Sequence, residues 1–394
     1  MIYIVIFACS MLCFYASEKA ENKYLKALCA ALGILLPSIL AGLRSSSVGT
    51  DVRIYGKYAY NEAVRSDSFF TYYGEFSDSL LGDLGYYLIT YIAAKITPHY
   101  HFGLFIYSLI PITCVYLGIR KFNLKQGTSI WLFMGLYYLS LYNQSLNLLR
   151  QSIAIGVLFY AFAEFAVGKK IRSVLLWILA VLFHSSALIG LGIFVLYAYF
   201  RQRPGDRWYT GIWKTILFAA VFLGFLVVLP MLLRQLVEIG LVRENYLMYL
   251  DEDGYKISGY VDWINLVSHF ATSLAILIFF KPLYDRHMNP LFYLMMSLLM
   301  ILADYAPLVT MYADRIGFYL IPISLVALAN TKNCLRRWTG LVWSWLLLVI
   351  FLYQWINGIV IQGFHETVPY EFSWQDNFTD EYITDENRDR WARN

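Results

Sequence analysis

The sequence predicts an all-α polytopic membrane protein of about 12 spans, and three observations point there. First, the 394 residues are 59% hydrophobic and only 15% charged, with a mean hydropathy of +0.54; soluble domains run nearer half apolar and a quarter charged. Second, apolar runs of about 15–20 residues recur along the whole length, enough for helices to cross a hydrocarbon core of about 30 Å. Third, short polar turns rich in Lys and Arg separate the runs. The short alternating segments of a β-barrel do not dominate.

In chain order, helices are expected at about 2–17, 27–43, 102–119, 128–143, 148–167, 173–186, 187–200, 211–229, 263–280, 290–303, 316–329 and 340–357. The first run lacks a basic segment before it, and Lys19, Lys23 and Lys26 follow it. It therefore reads as a span kept in the mature protein rather than a cleaved leader. Several runs are short for the hydrocarbon core and need neighbouring protein or local thinning.

Orientation follows from the short turns. The alternating set 18–26, 119–127, 168–172, 201–214, 281–289 and 330–339 carries about 18 of the 31 basic residues and is assigned to the cytoplasm. The long connections 44–101, 230–262 and 304–315 and the tail 358–394 are mixed or acidic. They are expected outside, together with both termini. Residues 85–96 are apolar but short, and Lys95 interrupts them. A span there would invert the charge bias of every later turn, so an external interfacial or re-entrant helix is expected. In 231–262, Leu232, Leu233, Leu236, Val237 and Leu241 recur at helical spacing. This fits an amphipathic external helix, as a packed cap or as a lid over a groove.

Composition excludes several classes. The net charge is +4, but the basic residues are scattered among turns, so no nucleic-acid partner is expected. Cys9, Cys13, Cys29, Cys114 and Cys334 sit in or beside spans without ligand spacing and read as apolar filler. No metal site, cofactor, Walker A loop or dinucleotide fingerprint is indicated.

The stretch 147–192 organises the chain. It is an apolar run, a basic turn (Gly168, Lys169, Lys170, Arg172), then a second apolar run. Arg150 stands at the far end of the first run and His184 at the far end of the second. Arg44 closes the second helix, and Arg315 follows Asp314 at the start of a late one. Helical rise puts all four ionisable residues roughly 25–27 Å from the basic turns, hence at one depth near the outer membrane edge. Snorkelling or structural pairing with Asp51 or Asp314 would explain a single arginine. Three arginines and a histidine at one level point to a site. Guanidinium forks bind phosphate oxygens bidentately, and Arg150 and Arg315 lie in first helical turns that favour anions. A lipid-linked diphosphate fits, with Arg44, Arg150 and Arg315 as its ligands. Such cations would stabilise charge on a leaving diphosphate. His184, Asp51 or Asp314 would serve as the base. Tyr72, Tyr73, Tyr86, Tyr87, Tyr246, Tyr249, Tyr255 and Tyr260 crowd the external loops. They form an interfacial belt or a platform for sugar rings.

Residues 146–191, LNLLRQSIAIGVLFYAF…GKKIRSVLLWILAVLFHSSALIGL, resemble the EpsG/Wzy-type bacterial polysaccharide (O-antigen) polymerases. Their pattern is an Arg-Gln-x-Ile-Ala helix, a basic turn and a helix ending Phe-His-x-Ser-Ala. Gly42-Leu43-Arg44 with Val48-Gly49-Thr50-Asp51, Tyr312–Ile316 and Val368-Pro369-Tyr370 are similar to further family patches. The resemblance implies a GT-C-like glycosyltransferase domain over 1–357, followed by an external acidic tail over 358–394. It implies a multi-pass protein of the bacterial plasma (inner) membrane, with its active site facing the periplasm or cell exterior. The implied reaction transfers a glycan from one undecaprenyl diphosphate to a sugar hydroxyl of a second undecaprenyl-diphosphate-linked oligosaccharide, with inversion. Donor and acceptor are both lipid-linked, and a chain-length regulator and a flippase are the implied partners. The competing readings are an O-antigen ligase and a non-enzymatic flippase or exporter.

Overall fold

The computed structural model describes residues 1–49, 51–52, 56–76, 82–202, 213–214, 231, 234–235, 263–305 and 314–375. Nearly all of the expected helix at 211–229 and of the expected cap or lid at 231–262, and the acidic stretch 376–394, lie outside them. Among the described residues the chain is helical, with one isolated β-bridge between Arg44 and Phe372.

Among the described residues five helices are long and apolar enough to cross a membrane: Ile2–Lys19, Lys23–Gly42, Tyr100–Gln126, Leu149–Ala166 and Arg337–Ile361. With the shorter apolar helices they make an all-α membrane protein. The first two are α1 and α2. They form a hairpin in which Phe14 lies flat on Gly33, where a Cβ would come within 2.8 Å of the ring. Ser10 Oγ donates to Gly33 O at 2.6 Å. Asn22 caps α2, its Oδ1 accepting from Tyr24 N at 2.8 Å, as a polar N-cap should.

Among the described residues the long connection after α2 contains three helices: α3 (Lys57–Arg65), α4 (Phe69–Phe76) and α5 (Leu84–Ile96). Only α5 was expected. It has 13 residues, or about 20 Å of rise, too short for a perpendicular crossing. The loop tyrosines are not a platform here. Tyr72 and Tyr86 are fully buried and Tyr73 and Tyr87 nearly so. Their rings pack edge to face, as Tyr72 does on Tyr87 at 5.9 Å. They cement α4 to α5. Tyr246, Tyr249, Tyr255 and Tyr260 lie outside the described residues.

Helix α6 is Tyr100–Gln126. The run at 128–143, expected as one helix, is broken into α7 (Ile130–Tyr137), a π-turn (Tyr138–Tyr142) and α8 (Asn143–Asn147). The chain then bends at Leu148, whose φ and ψ of −85° and 66° leave helical space, and α9 (Leu149–Ala166) begins. Helix α9 is the axis of the bundle: 89% of it is buried, as its apolar residues on every face require. A Cβ at Gly156 would sit 2.6 Å from Pro111 Cα, so only glycine lets α9 lie this close to α6.

Helix α10 (Lys170–Phe183) returns to the starting end and a 3₁₀ turn (Ser185–Leu188) leads into α11 (Ile189–Phe200). The remaining helices are α12 (Trp263–Ile278), α13 (Phe280–Asp285), α14 (Pro290–Tyr305), α15 (Asp314–Thr331) and α16 (Arg337–Trp355), which runs on as a π-turn to Ile361. The end bearing the long connections is called the loop end; the other, with the short Lys/Arg turns, is the basic end.

The C-terminal segment up to residue 375 is docked at the loop end. Ser45 N donates to Glu371 O and Ser373 N to Leu43 O, each at 2.8 Å. Tyr370 OH reaches Leu40 O at 2.7 Å.

Candidate active site

At the loop end, the start of α9, the end of α10 and the start of α5 converge on one carboxylate. Asp83 precedes α5 with φ at +51°, a left-handed conformation that Asp tolerates better than most residues. Its Oδ2 accepts from Arg150 Nη1 at 2.7 Å. Its Oδ1 stands 3.5 Å from His184 Nδ1. At that distance His184 Nδ1 completes no hydrogen bond among the described residues, and the contact is an ion pair only when the imidazole is protonated. All three side chains remain reachable, at 19–30% exposure. Burial would raise the Asp83 carboxyl, but His184 and Arg150 outweigh it and hold it below the ordinary carboxylate range. Asp83 is therefore an anion at neutral pH.

His184 owes its position to the end of α10. Its backbone is extended (φ −162°, ψ 127°), which turns the chain out of the helix. Trp177 Nε1 donates to Ala187 O at 3.0 Å and ties the following turn back onto α10. Ser186 Oγ and Tyr319 OH are 2.9 Å apart, linking that turn to α15. Gln151, nearly buried, donates through Nε2 to Arg315 O at 2.9 Å. The first turns of α9 and α15 are thereby fastened together, and Arg315 itself is exposed.

Arg44 has a different setting. It is 1% exposed, with Tyr3, Tyr100, Tyr142 and Tyr370 as its electrostatic neighbours. Its Nε and Nη1 find no hydrogen-bond partner among the described residues. Asp51 lies in the loop that crosses the start of α9. Its backbone N–H donates to Asn147 Oδ1 at 2.9 Å. Gly49 makes that crossing possible: its φ is +96°, and a Cβ would meet Leu146 O at 3.1 Å. Asp314 opens α15; its side chain lies outside the described residues. Thus Arg150 and His184 are brought together, Arg315 is tethered beside them, and Arg44 lies behind the docked C-terminal segment.

Two residues of this region escaped the sequence reading. Asp83 stands in a loop without periodicity, 67 residues from Arg150. His365 has φ at +65°, and its imidazole lies in a cavity of about 30 Å³ with Asn143, Gln144, Asn265 and Gln354. Burial first and Arg315 second lower its pKa to about 4. Its only signal in the sequence was proximity to the Val368-Pro369-Tyr370 patch. Among the described residues no three His, Cys, Asp or Glu side chains cluster as metal ligands.

These features define a class: an all-α membrane protein with cationic, acidic and imidazole groups gathered at one end of its helices. The particular family follows from comparison with family models. The EpsG family model matches residues 26–372, so the chain belongs to the EpsG family. Membership points to polysaccharide polymerisation or a closely related function. Neither a curated protein nor a solved structure matches the chain.

Proposed function

We propose that this protein is a glycosyltransferase that polymerises undecaprenyl-diphosphate-linked oligosaccharide units into O-antigen or a related surface polysaccharide. The observation that carries the reading is the Asp83 carboxylate shared by Arg150 and His184, at the start of α9 and the end of α10, the two helices that bear the family motif. In the reaction, a sugar hydroxyl of the acceptor attacks the anomeric carbon of the donor. The new glycosidic C–O bond forms as the bond to the lipid diphosphate breaks, with inversion. The hydroxyl proton passes to His184, which Asp83 orients, in the manner of a carboxylate-held imidazole base. Asp51 and Asp314 are the alternative bases.

Negative charge gathers on the departing diphosphate, and Arg150 and Arg315 stabilise it. A guanidinium carries five N–H donors, and in this reading those of Arg150 are divided between Asp83 and the phosphate when substrate binds. The unmet donors of Arg44 make it a third phosphate ligand once the covering segment shifts. The reading includes a GT-C-like bundle of about 12 spans. It sits in the bacterial inner membrane with the loop end outward, beside a flippase and a chain-length regulator.

The test is lengthening of a purified lipid-linked repeat unit by the purified protein without any nucleotide sugar. A ladder of products is expected, and Arg150→Lys, which keeps charge but loses the fork, should strip most of it at normal protein level. A wild-type protein that lengthens nothing would end the proposal. Long chains accumulating on lipid in cells lacking the protein would indicate a ligase; polymerisation that proceeds without it once the lipid-linked unit is supplied directly to the outer face would indicate a flippase.

A further inference from the structure

A second cavity lies at the opposite, basic end, away from the site above. It measures about 660 Å³, within the range of small-molecule sites. Lys19, Arg286, Lys332, Arg336 and Arg337 line it, against one carboxylate, Glu18. That carboxylate lies in the field of Lys332 and Lys19, and its Oε1 accepts from Ile130 N at 2.7 Å and from Asn123 Nδ2 at 3.3 Å, which leaves the cations in excess. The cations are held in place. Lys332 Nζ sits 4.7 Å from the Trp131 ring centroid, and Arg286 Nη1 donates to Asn333 O at 3.1 Å.

The start of α16 adds to the positive field. Arg336 is its N-cap and Arg337 its first residue, with no side-chain cap and no acidic residue in the first turn. Arginines oppose the helix dipole at that end, so an anion seated there relieves two unfavourable terms at once.

The cavity is continuous with lipid-facing surface. Helix α7 packs against both α1 and α16. At Gly135 an added Cβ would meet Met11 of α1 at 2.7 Å and Leu348 of α16 at 3.1 Å. Helices α1 and α16 thus wall a crevice that α7 floors. Their outer faces are apolar and exposed at this end: Leu12 and Tyr15 on α1, and Trp338, Val342 and Trp345 on α16.

We propose that this crevice is a binding site for one anionic phospholipid, its phosphate among Lys332, Arg336 and Arg337 and its acyl chains along α1 and α16. The charge bias of the turns places the basic end at the cytoplasmic leaflet, where anionic headgroups attract such clusters. Charge selects the headgroup, and the adjoining apolar faces select a lipid over a soluble anion.

The experiment uses the full chain, delipidated in a non-ionic detergent, and follows thermal unfolding on titration. The probes are dioleoylphosphatidylglycerol, dioleoylphosphatidylcholine and glycerol 3-phosphate. Saturable stabilisation by the phosphatidylglycerol alone is expected. Arg336→Gln with Arg337→Gln should weaken it on the order of 30-fold. Arg336→Lys with Arg337→Lys, and the distant Lys170→Gln, should stay within a few-fold of wild type. Equal stabilisation by both lipids, or wild-type affinity in the double Gln variant, would overturn the proposal. Reproduction of the effect by glycerol 3-phosphate would overturn it in favour of a soluble-anion site. If the Gln variant does not purify, the lipid selectivity of wild type and the Lys variant decides.

Discussion

The contact between Arg150 and Asp83 yields the sharpest prediction. The perturbation is Asp83→Asn, which keeps the shape of the side chain and removes its charge, alone and combined with Arg150→Gln. The bond is charge-assisted at 2.7 Å, with the two side chains 30% and 19% exposed. Exposed pairs contribute up to about 1 kcal/mol, and breaking a buried pair costs about 3–5 kcal/mol. A half-buried pair between these limits is worth about 2 kcal/mol, or roughly a 30-fold loss of rate if the pair matters in the transition state. The assay is the initial rate of chain elongation on a lipid-linked repeat unit, normalised to protein level. Each single variant should fall about 30-fold. The double variant should lose clearly less than the product of the two single losses, because the second change no longer breaks the Arg150–Asp83 bond. Losses that multiply across the double variant would show that the two side chains act independently, and would refute the idea of a shared carboxylate.

Other outcomes follow from the same geometry. Gly49→Ala forces a side chain onto φ of +96° and against Leu146 O at 3.1 Å; it should destabilise by about 1–3 kcal/mol, visible as a lower unfolding temperature in detergent. At the basic end, Glu164 is fully buried, 3.0 Å from Lys121 and 3.4 Å from Arg172. Since both cations are partly exposed, Glu164→Ala should cost about 1–3 kcal/mol in thermal stability without altering the chain-length distribution of surviving enzyme. His365 protonates near 6.5 when unfolded but only near about 4 when folded. Between those values the unfolded chain binds more protons, so stability should fall as pH drops from 6.5 toward 4. His365→Asn should flatten that slope, and an unchanged pH profile of unfolding would count against its burial.

The fold was legible where backbone physics leaves little choice. In hydrocarbon every N–H and C=O must be satisfied within the segment, so each long apolar run had to be a helix, and α1, α2, α6, α9 and α16 appear where expected. The breaks were less legible. The run at 128–143 is uniformly apolar and polar-aromatic, and hydropathy carries no sign of the π-turn at Tyr138–Tyr142. There Tyr138 OH and Tyr142 OH reach across to α1 and α2, to Ser10 Oγ and Pro37 O. Likewise α3 and α4 are short and weakly patterned, and burial of tyrosines among themselves holds them. The sequence reading valued those tyrosines as exposed surface because it had no means to see what covers a loop.

For the candidate site the division is similar. The sequence by itself determined which ionisable residues stand at helix ends, because helical rise converts residue separation into depth, and charge at that depth is conspicuous against an apolar background. That reading selected Arg150, His184 and Arg315. Only the tertiary structure decided which of them meet. Asp83 joins Arg150 and His184 because α5 folds its leading residue over the start of α9 and the end of α10, a contact with no local pattern to announce it. Arg44 was legible as a charge near the membrane edge. Its burial depends on a segment more than 300 residues later, where Phe372 bridges its backbone. Depth is a local property of a helix, set by composition and rise. Partnership is a property of packing between distant segments, and it exists only once the chain has closed on itself.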